Sequence, residues 1–468
     1  SPAYLIGSIR SLYPKLEIEG GAGVRPHKNS INNYYYPENP EAGIDLFLEK
    51  LVQETEKEHE DILEQADETD AMFGELYSWY LRNPEYRSRV QKLVQSAFAG
   101  KPEDIISQSV AKALYGEVSP YSATRLERFA ACAFAHFLQY GMKLTERVEY
   151  EFKPMDMGNV MHEALESFAE EVRKRGMKWT ELTEQERNEI ADRCLDNIVA
   201  DYGNTVLKSS ARNEYMIERT RRILRRTVWA LQKQLEQGEF QPEGFEVTFG
   251  GGRIDRVDIM EDQNKVYVKV IDYKTGNTSF DLVYLYHGLQ LQLMIYLDGA
   301  LRVEQKKYPD KEIIPAGVFY YNIKDPMIQE KIDADVEAVS AGLMKELKMN
   351  GLVQADPELV YRMDSSLGSI PVAFNKDGSF RKNSSVADRT QFAVLGRYVR
   401  MKIEKIRSSI LEGDAEVSPY ELGKKNACTY CPYMTVCGFD RRLSGYEFRR
   451  LKNFSDEELW KAFDREAE

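Results

Sequence analysis

A chain of 468 residues has room for two or three domains, and 43% hydrophobic with 30% charged residues fits a soluble globular protein. A net charge of −13 excludes broad, non-specific attraction to nucleic acid and restricts any such contact to a local basic channel. No apolar run approaches the length of a membrane span, and five cysteines are too few and too scattered for a disulfide framework, so a cytoplasmic setting without membrane contact is expected.

The opening Ser1-Pro2 carries no methionine, and the chain reads as part of a longer product. Residues 1–118 read as mainly helical, with apolar periodicity over 42–65 and again over 71–98. The phosphate-loop pattern G-x-x-x-x-G-K-[ST] is absent, and nothing here suggests catalysis, so a scaffold or docking role is expected. A new unit begins at Ser119-Pro120-Tyr121-Ser122. Ser122 is a candidate N-cap, and Leu126, Phe129, Cys132, Ala133 and Phe137 follow at helical spacing. Cys132 and His136, one turn apart, can be half of a metal site or part of a buried helix face.

Asp156 opens a helix on which His162 shares a face with Leu165 and Phe168, as ligand or as core residue. Gly158, four residues earlier, allows close approach of a backbone or a phosphate. Residues 177–236 are helical and charged. Arg219, Arg221, Arg222, Arg225 and Arg226 there form the strongest basic cluster, readable as a solvated face or as a phosphate track.

After a strand at 245–249, the stretch 252–274 reads as a β-hairpin with its turn at Glu261-Asp262-Gln263-Asn264. Asp255 sits on its first strand. Asp272 and Lys274 sit at the end of the second, two residues apart and so on one face. Two carboxylates and a lysine at one sheet end suit a hard divalent cation with a charge stabiliser beside it. A helix is expected over 285–300, where Gln292 and Tyr296 share a face and can hold a phosphate or cap a buried helix. A strand follows at 318–321, then helices at 335–350 and 386–411. The last motif is Cys428-x-x-Cys431-Pro432-x-x-x-x-Cys437. It needs one more thiolate for a tetrahedral set, from Cys132 or else Cys194, and suits zinc or an iron–sulfur cluster.

Gly158-x-x-x-His162, Gly252-Arg253-Ile254-Asp255-Arg256, Asp272-Tyr273-Lys274-Thr275-Gly276 and Gln292-x-x-x-Tyr296 occur in the order of the RecB-like branch of the PD-(D/E)XK nucleases. The split cysteine set resembles the iron-staple members of that branch. Gly351-Leu352-Val353, Tyr361-Arg362-Met363-Asp364 and the ending Ala427 to Tyr433 are similar to the AddB family of AddAB-type helicase–nucleases.

The resemblance implies an α/β fold: a mostly helical, helicase-like N-terminal region at 1–118, a nuclease core at 119–450 with a mixed central sheet flanked by helices, and a C-terminal tail at 451–468. It implies Mg²⁺-dependent hydrolysis of DNA, with His162, Asp255, Asp272 and the Tyr273 carbonyl holding the metal and Lys274 orienting the attacking water. Gln292, Tyr296 and Arg256 would position the DNA strand, and Cys132, Cys428, Cys431 and Cys437 would hold a structural [4Fe–4S] cluster. It further implies cutting of the 5′-ended strand during double-strand-break processing, with an AddA-type helicase/nuclease subunit as partner and DNA, single-stranded ends included, as substrate. The alternatives are a catalytically silent DNA-binding or scaffold protein held by a structural metal site, and a free-standing iron–sulfur nuclease.

Overall fold

The computed structural model describes residues 12, 40–56, 68–97, 105–116, 122–145, 154–201, 211–250, 252–328, 335–443 and 445–467. The chain divides into two compact units, one of residues 1–102 with 440–446 and one of residues 103–439 with 447–468. The first unit has three described helices, α1 (Pro40–Glu56), α2 (Glu68–Arg82) and α3 (Pro84–Ala97). The run expected as one helix over 71–98 breaks at Asn83-Pro84 because proline fits the first position of a helix and not its interior. Ile44, Phe47, Leu51, Tyr80 and Val90 form this unit's core, and Phe47 stacks on Phe73 at 4.8 Å between ring centres.

The second unit opens with α4 (Gln108–Tyr115), α5 (Ala123–Ala131), α6 (Pro154–Lys174), α7 (Glu184–Asp201) and α8 (Ala211–Glu236). Ser122 caps α5, accepting the Arg125 N–H at 3.4 Å. Strands β1 (Gln241–Phe249), β2 (Gly252–Asp262) and β3 (Lys265–Lys274) follow as an antiparallel meander. A short helix (Leu282–Tyr286) and α9 (Gln292–Lys307) then lead to β4 (Glu312–Asn322), which pairs parallel with β3. The helix expected over 285–300 is interrupted at Gly288. Its φ of +79° is left-handed, and an added Cβ would stand 3.3 Å from that of Ala130.

Next come α10 (Val336–Glu346), β5 (Asn350–Gln354), α11 (Pro357–Met363), β6 (Val386–Ala387) and α12 (Arg389–Glu412). The expectation of one helix over 335–350 is corrected here, since the chain leaves the helix before Leu347 and residue 350 begins β5. A small sheet of β7 (Tyr420–Leu422), β8 (Lys425–Asn426) and β9 (Arg449–Arg450) precedes α13 (Asp456–Ala467). Residues expected as a C-terminal tail thus carry α13, which buries Leu459, Ala462 and Phe463.

The main sheet is mixed, with six strands in the order β1-β2-β3-β4-β5-β6. Side chains of a strand alternate between faces, and β3 is apolar on both. Val266, Val268 and Val270 enter a core with α4, α5, α9, α12 and α13. Tyr267, Ile271 and Tyr273 enter a second core with α6, α7, α8 and α11. The helices therefore cover both faces of the sheet, and the C-terminal end of β3 opens between the layers. Among the described residues no helix is long and apolar enough to cross a membrane.

Candidate functional site

Three carboxylates come together at one end of the sheet. Phe245 and Val247 pair with Arg256 and Ile254, so Glu246 stands opposite Asp255. Arg256 pairs with Ile271, so Asp255 stands opposite Asp272. Asp255 and Asp272 are neighbours across β2 and β3, and Glu246, whose φ of +48° breaks the regular alternation of β1, brings its carboxylate to the same end. The sequence shows residue 246 only as part of a strand, because lateral register has no local signature.

His162 reaches this end from α6. Its Nε2 lies 3.1 Å from the Tyr273 carbonyl, and its Nδ1 lies 3.4 Å from Asp255 Oδ2 and 3.7 Å from Glu246 Oε1. Asp255 Oδ2 also accepts the Tyr273 N–H at 2.7 Å. Donor atoms of His162, Glu246 and Asp255 all lie within 4.8 Å of one another. Burial alone would depress the imidazole, but hydrogen bonding to Asp255 and Glu246 outweighs it and lifts the group to about 10. Two carboxylates turned toward one imidazole make a site that favours positive charge.

On the other side of the site, Asp272 is almost fully buried and its Oδ2 lies 2.7 Å from Lys274 Nζ. Burial and the neighbouring Asp255 charge push its carboxyl upward, against the pull of Lys274. Lys274 Nζ donates to Gln292 Oε1 at 2.8 Å, and Gln292 Nε2 donates to the Tyr296 hydroxyl at 3.0 Å. Sequence reasoning also misses Glu127, on α5, which accepts the N–H groups of Leu291 and Gln292 at 2.7 and 2.9 Å and so fixes the start of α9. Burial pushes this carboxyl up to about 7, despite those two hydrogen bonds. A helix N-terminus favours a carboxylate, but nothing near Glu127 in sequence announces that α5 packs there.

Arg256 corrects an expectation. Only 2% exposed, it lies under the rings of Trp179 and Phe245 and makes a forked contact to Asp258, at 2.5 and 2.9 Å. Lys269 Nζ reaches the same carboxylate at 3.0 Å. A side chain buried in this way cannot touch a DNA strand. The arginines of α8 are largely engaged by acids: Arg221 with Asp196 at 2.7 Å and Arg222 with Asp325 at 2.5 Å, while Arg225 pairs with Asp192.

Four of the five thiols fall into one place. Cys132, at the end of α5, lines a small apolar cavity with Cys428, Cys431 and Cys437, closed by Phe134, Tyr433 and Phe439 among others. Burial, then the other three thiols, push Cys428 up to about 11. Four cysteines lining one apolar cavity are the residues that could hold a metal or cluster, whose positive charge would reverse that rise. Cys194 lies in the other core and takes no part. His136 is also excluded. It is fully buried, accepts the Arg125 Nε–H at 3.1 Å, and is held neutral by burial and that guanidinium, with a pKa lowered to about 3.

The family model of the PD-(D/E)XK nuclease superfamily matches residues 120–438. An ATP-dependent helicase/deoxyribonuclease subunit of the AddB type from Lachnoclostridium phytofermentans is 39% identical over 490 residues, covering 100% of this chain and 40% of that protein. Proteins of the same name from Thermoanaerobacter sp. strain X514 and Clostridium acetobutylicum are 34% and 31% identical, covering 86% and 99% of this chain and 37% and 41% of their own lengths. The chain thus spans about 40% of the length of the curated relatives it matches.

Proposed function

The chain belongs to the PD-(D/E)XK nuclease superfamily, and from that premise we propose that it is the metal-dependent DNA exonuclease module of a helicase–nuclease. The observation that carries this reading is the meeting of His162, Asp255, Asp272 and Lys274 at one sheet end. His162, Asp255 and Asp272 are the residues that would hold Mg²⁺, with the Tyr273 carbonyl beside them. When bound, the ion supplies Lewis acidity to the phosphoryl oxygen and a lowered pKa to its water.

The protein's own contribution is positioning and charge. Lys274 is aimed by Asp272 on one side and Gln292 on the other, so its ammonium stands where negative charge develops on a phosphate. The Tyr296 hydroxyl, held by Gln292, offers a further donor for the strand. Glu127 keeps the first turn of α9 in place beneath them.

The similar proteins are named as subunits of an ATP-dependent helicase/deoxyribonuclease. That supports an AddA-type helicase/nuclease subunit as partner and DNA as substrate. The motif resemblance adds DNA ends, recombinational repair of double-strand breaks as the setting and the 5′-ended strand as the one cut. The four clustered thiols would hold a structural [4Fe–4S] cluster. The test uses linear DNA labelled at either the 5′ or the 3′ end, with Mg²⁺ and the assembled complex, the partner's nuclease being inactivated. Wild type should shorten the 5′-ended strand and Lys274→Ala should not. If neither cuts, the module is a silent scaffold or DNA-binding protein.

A further inference from the structure

We propose that Glu246 is a ligand of the divalent cation, delivered from β1 to the space between His162 and Asp255. The inference rests on the nuclease reading and extends it, since neither the sequence motifs nor the pairing of Asp255 with Asp272 includes β1.

Three observations carry it. The first is geometry. Glu246 Oε1, His162 Nδ1 and Asp255 donate from one small volume, all within 4.8 Å of one another. Ligand oxygens about 2.1 Å from a Mg²⁺ ion stand roughly 3 to 4 Å apart, so these atoms need only a slight closure around a cation. The second is the orientation of His162. Its Nε2 faces the Tyr273 carbonyl at 3.1 Å, which can only accept, so that nitrogen carries the hydrogen. The other nitrogen, Nδ1, is the one facing Glu246 and Asp255, and a cation between them would take the place of the proton it shares with those carboxylates.

The third is burial. The Glu246 side chain is 6% exposed although it sits on an edge strand. Its partner Arg253 is 63% exposed and pairs with Oε2, leaving Oε1 turned toward His162. The ion pair with a surface arginine accounts for Oε2 alone, whereas the buried Oε1 has His162 before it and room for a cation between them.

The experiment is titration of the full chain with Mn²⁺ alone, read by calorimetry and by the electron paramagnetic resonance of free Mn²⁺. It compares wild type with Glu246→Gln, Arg253→Gln and Asp255→Asn. Thermal unfolding in chelator is recorded for each, and Glu246→Asp stands in should Glu246→Gln fail to fold. Glu246→Gln should weaken Mn²⁺ binding at least tenfold, approaching Asp255→Asn, while Arg253→Gln stays within about threefold of wild type. Glu246→Asp should fall between wild type and Glu246→Gln. Mn²⁺ binding by Glu246→Gln equal to wild type would overturn the assignment and leave Glu246 as the ion-pair partner of Arg253. Failure of wild type itself to bind Mn²⁺ would instead bring down the metal-dependent reading, and this inference with it.

Discussion

Replacing Glu127 by glutamine should stabilise the second unit at alkaline pH and leave it nearly unchanged at acid pH. Burial raises this carboxyl from 4.5 to about 7, so the folded protein holds its proton more tightly than the unfolded chain does. Stability from that proton is fully present below about 4.5 and is lost as pH rises through about 7. At about 1.4 kcal/mol per tenfold in proton affinity, the rise corresponds to roughly 3 kcal/mol. Glutamine is neutral at every pH and keeps an oxygen to accept the Leu291 and Gln292 N–H groups, so it escapes that loss. In a unit of this size, about 3 kcal/mol moves the unfolding temperature by about 4 °C. The assay is thermal unfolding of both proteins in chelator at intervals from about pH 4 to about pH 8, which spans the window of the shift. The difference in Tm, Glu127→Gln minus wild type, should start near zero and climb by about 4 °C. Titration of Asp272 occurs in both proteins and largely cancels. A difference that does not vary with pH would refute the reasoning, because the carboxylate would then be as well accommodated inside as in water.

Other outcomes are expected at the same time. Gln292→Ala removes the amide that aims Lys274, and should lower kcat for DNA cleavage by about 10- to 100-fold with a smaller change in KM, measured by steady-state digestion. Cys431→Ser opens the four-thiol cavity, and should lower both the bound metal, read by elemental analysis and visible absorbance, and the Tm. Retention of full metal and Tm would remove the structural role, and zinc in place of iron would remove the cluster. Gly351→Ala puts a methyl group 1.9 Å from the Val318 carbonyl oxygen and 2.8 Å from the Phe319 Cα, backbone atoms that cannot step aside. Separation of β4 from β5 should cost roughly 3 kcal/mol or more, seen as low soluble yield and a depressed Tm.

What can be read in the sequence is what is encoded locally. The hairpin at 252–274 announces itself through β-branched alternation, and Asp272 and Lys274 through their two-residue spacing at its end. His162 stands out as a polar residue on an apolar helix face. The mixed sheet flanked by helices follows from the resemblance and is the fold observed. Residues 350–354 escape because Leu343 and Leu347 continue a helical apolar period up to the strand. Glu127 and Glu246 escape for a different reason: each acquires its place from a neighbour distant in the chain, α9 for one and β2 for the other. Arg256 misleads because the resemblance places it beside the DNA strand, whereas here two rings and an aspartate enclose it.

That enclosure has a bearing on how the chain finds its register. Arg256 and Lys269 converge on Asp258 with almost no water at any of the three. If β2 slid against β3 by one residue, Lys269 would lose Asp258, its direct cross-strand partner, and stand buried without a counter-charge, at a cost of several kcal/mol. Only the native alignment satisfies all three, and it is the same alignment that sets Asp255 beside Asp272. The buried Lys269–Asp258 pair therefore ties strand register to the site: the one alignment that satisfies the lysine is the one that sets the two carboxylates side by side.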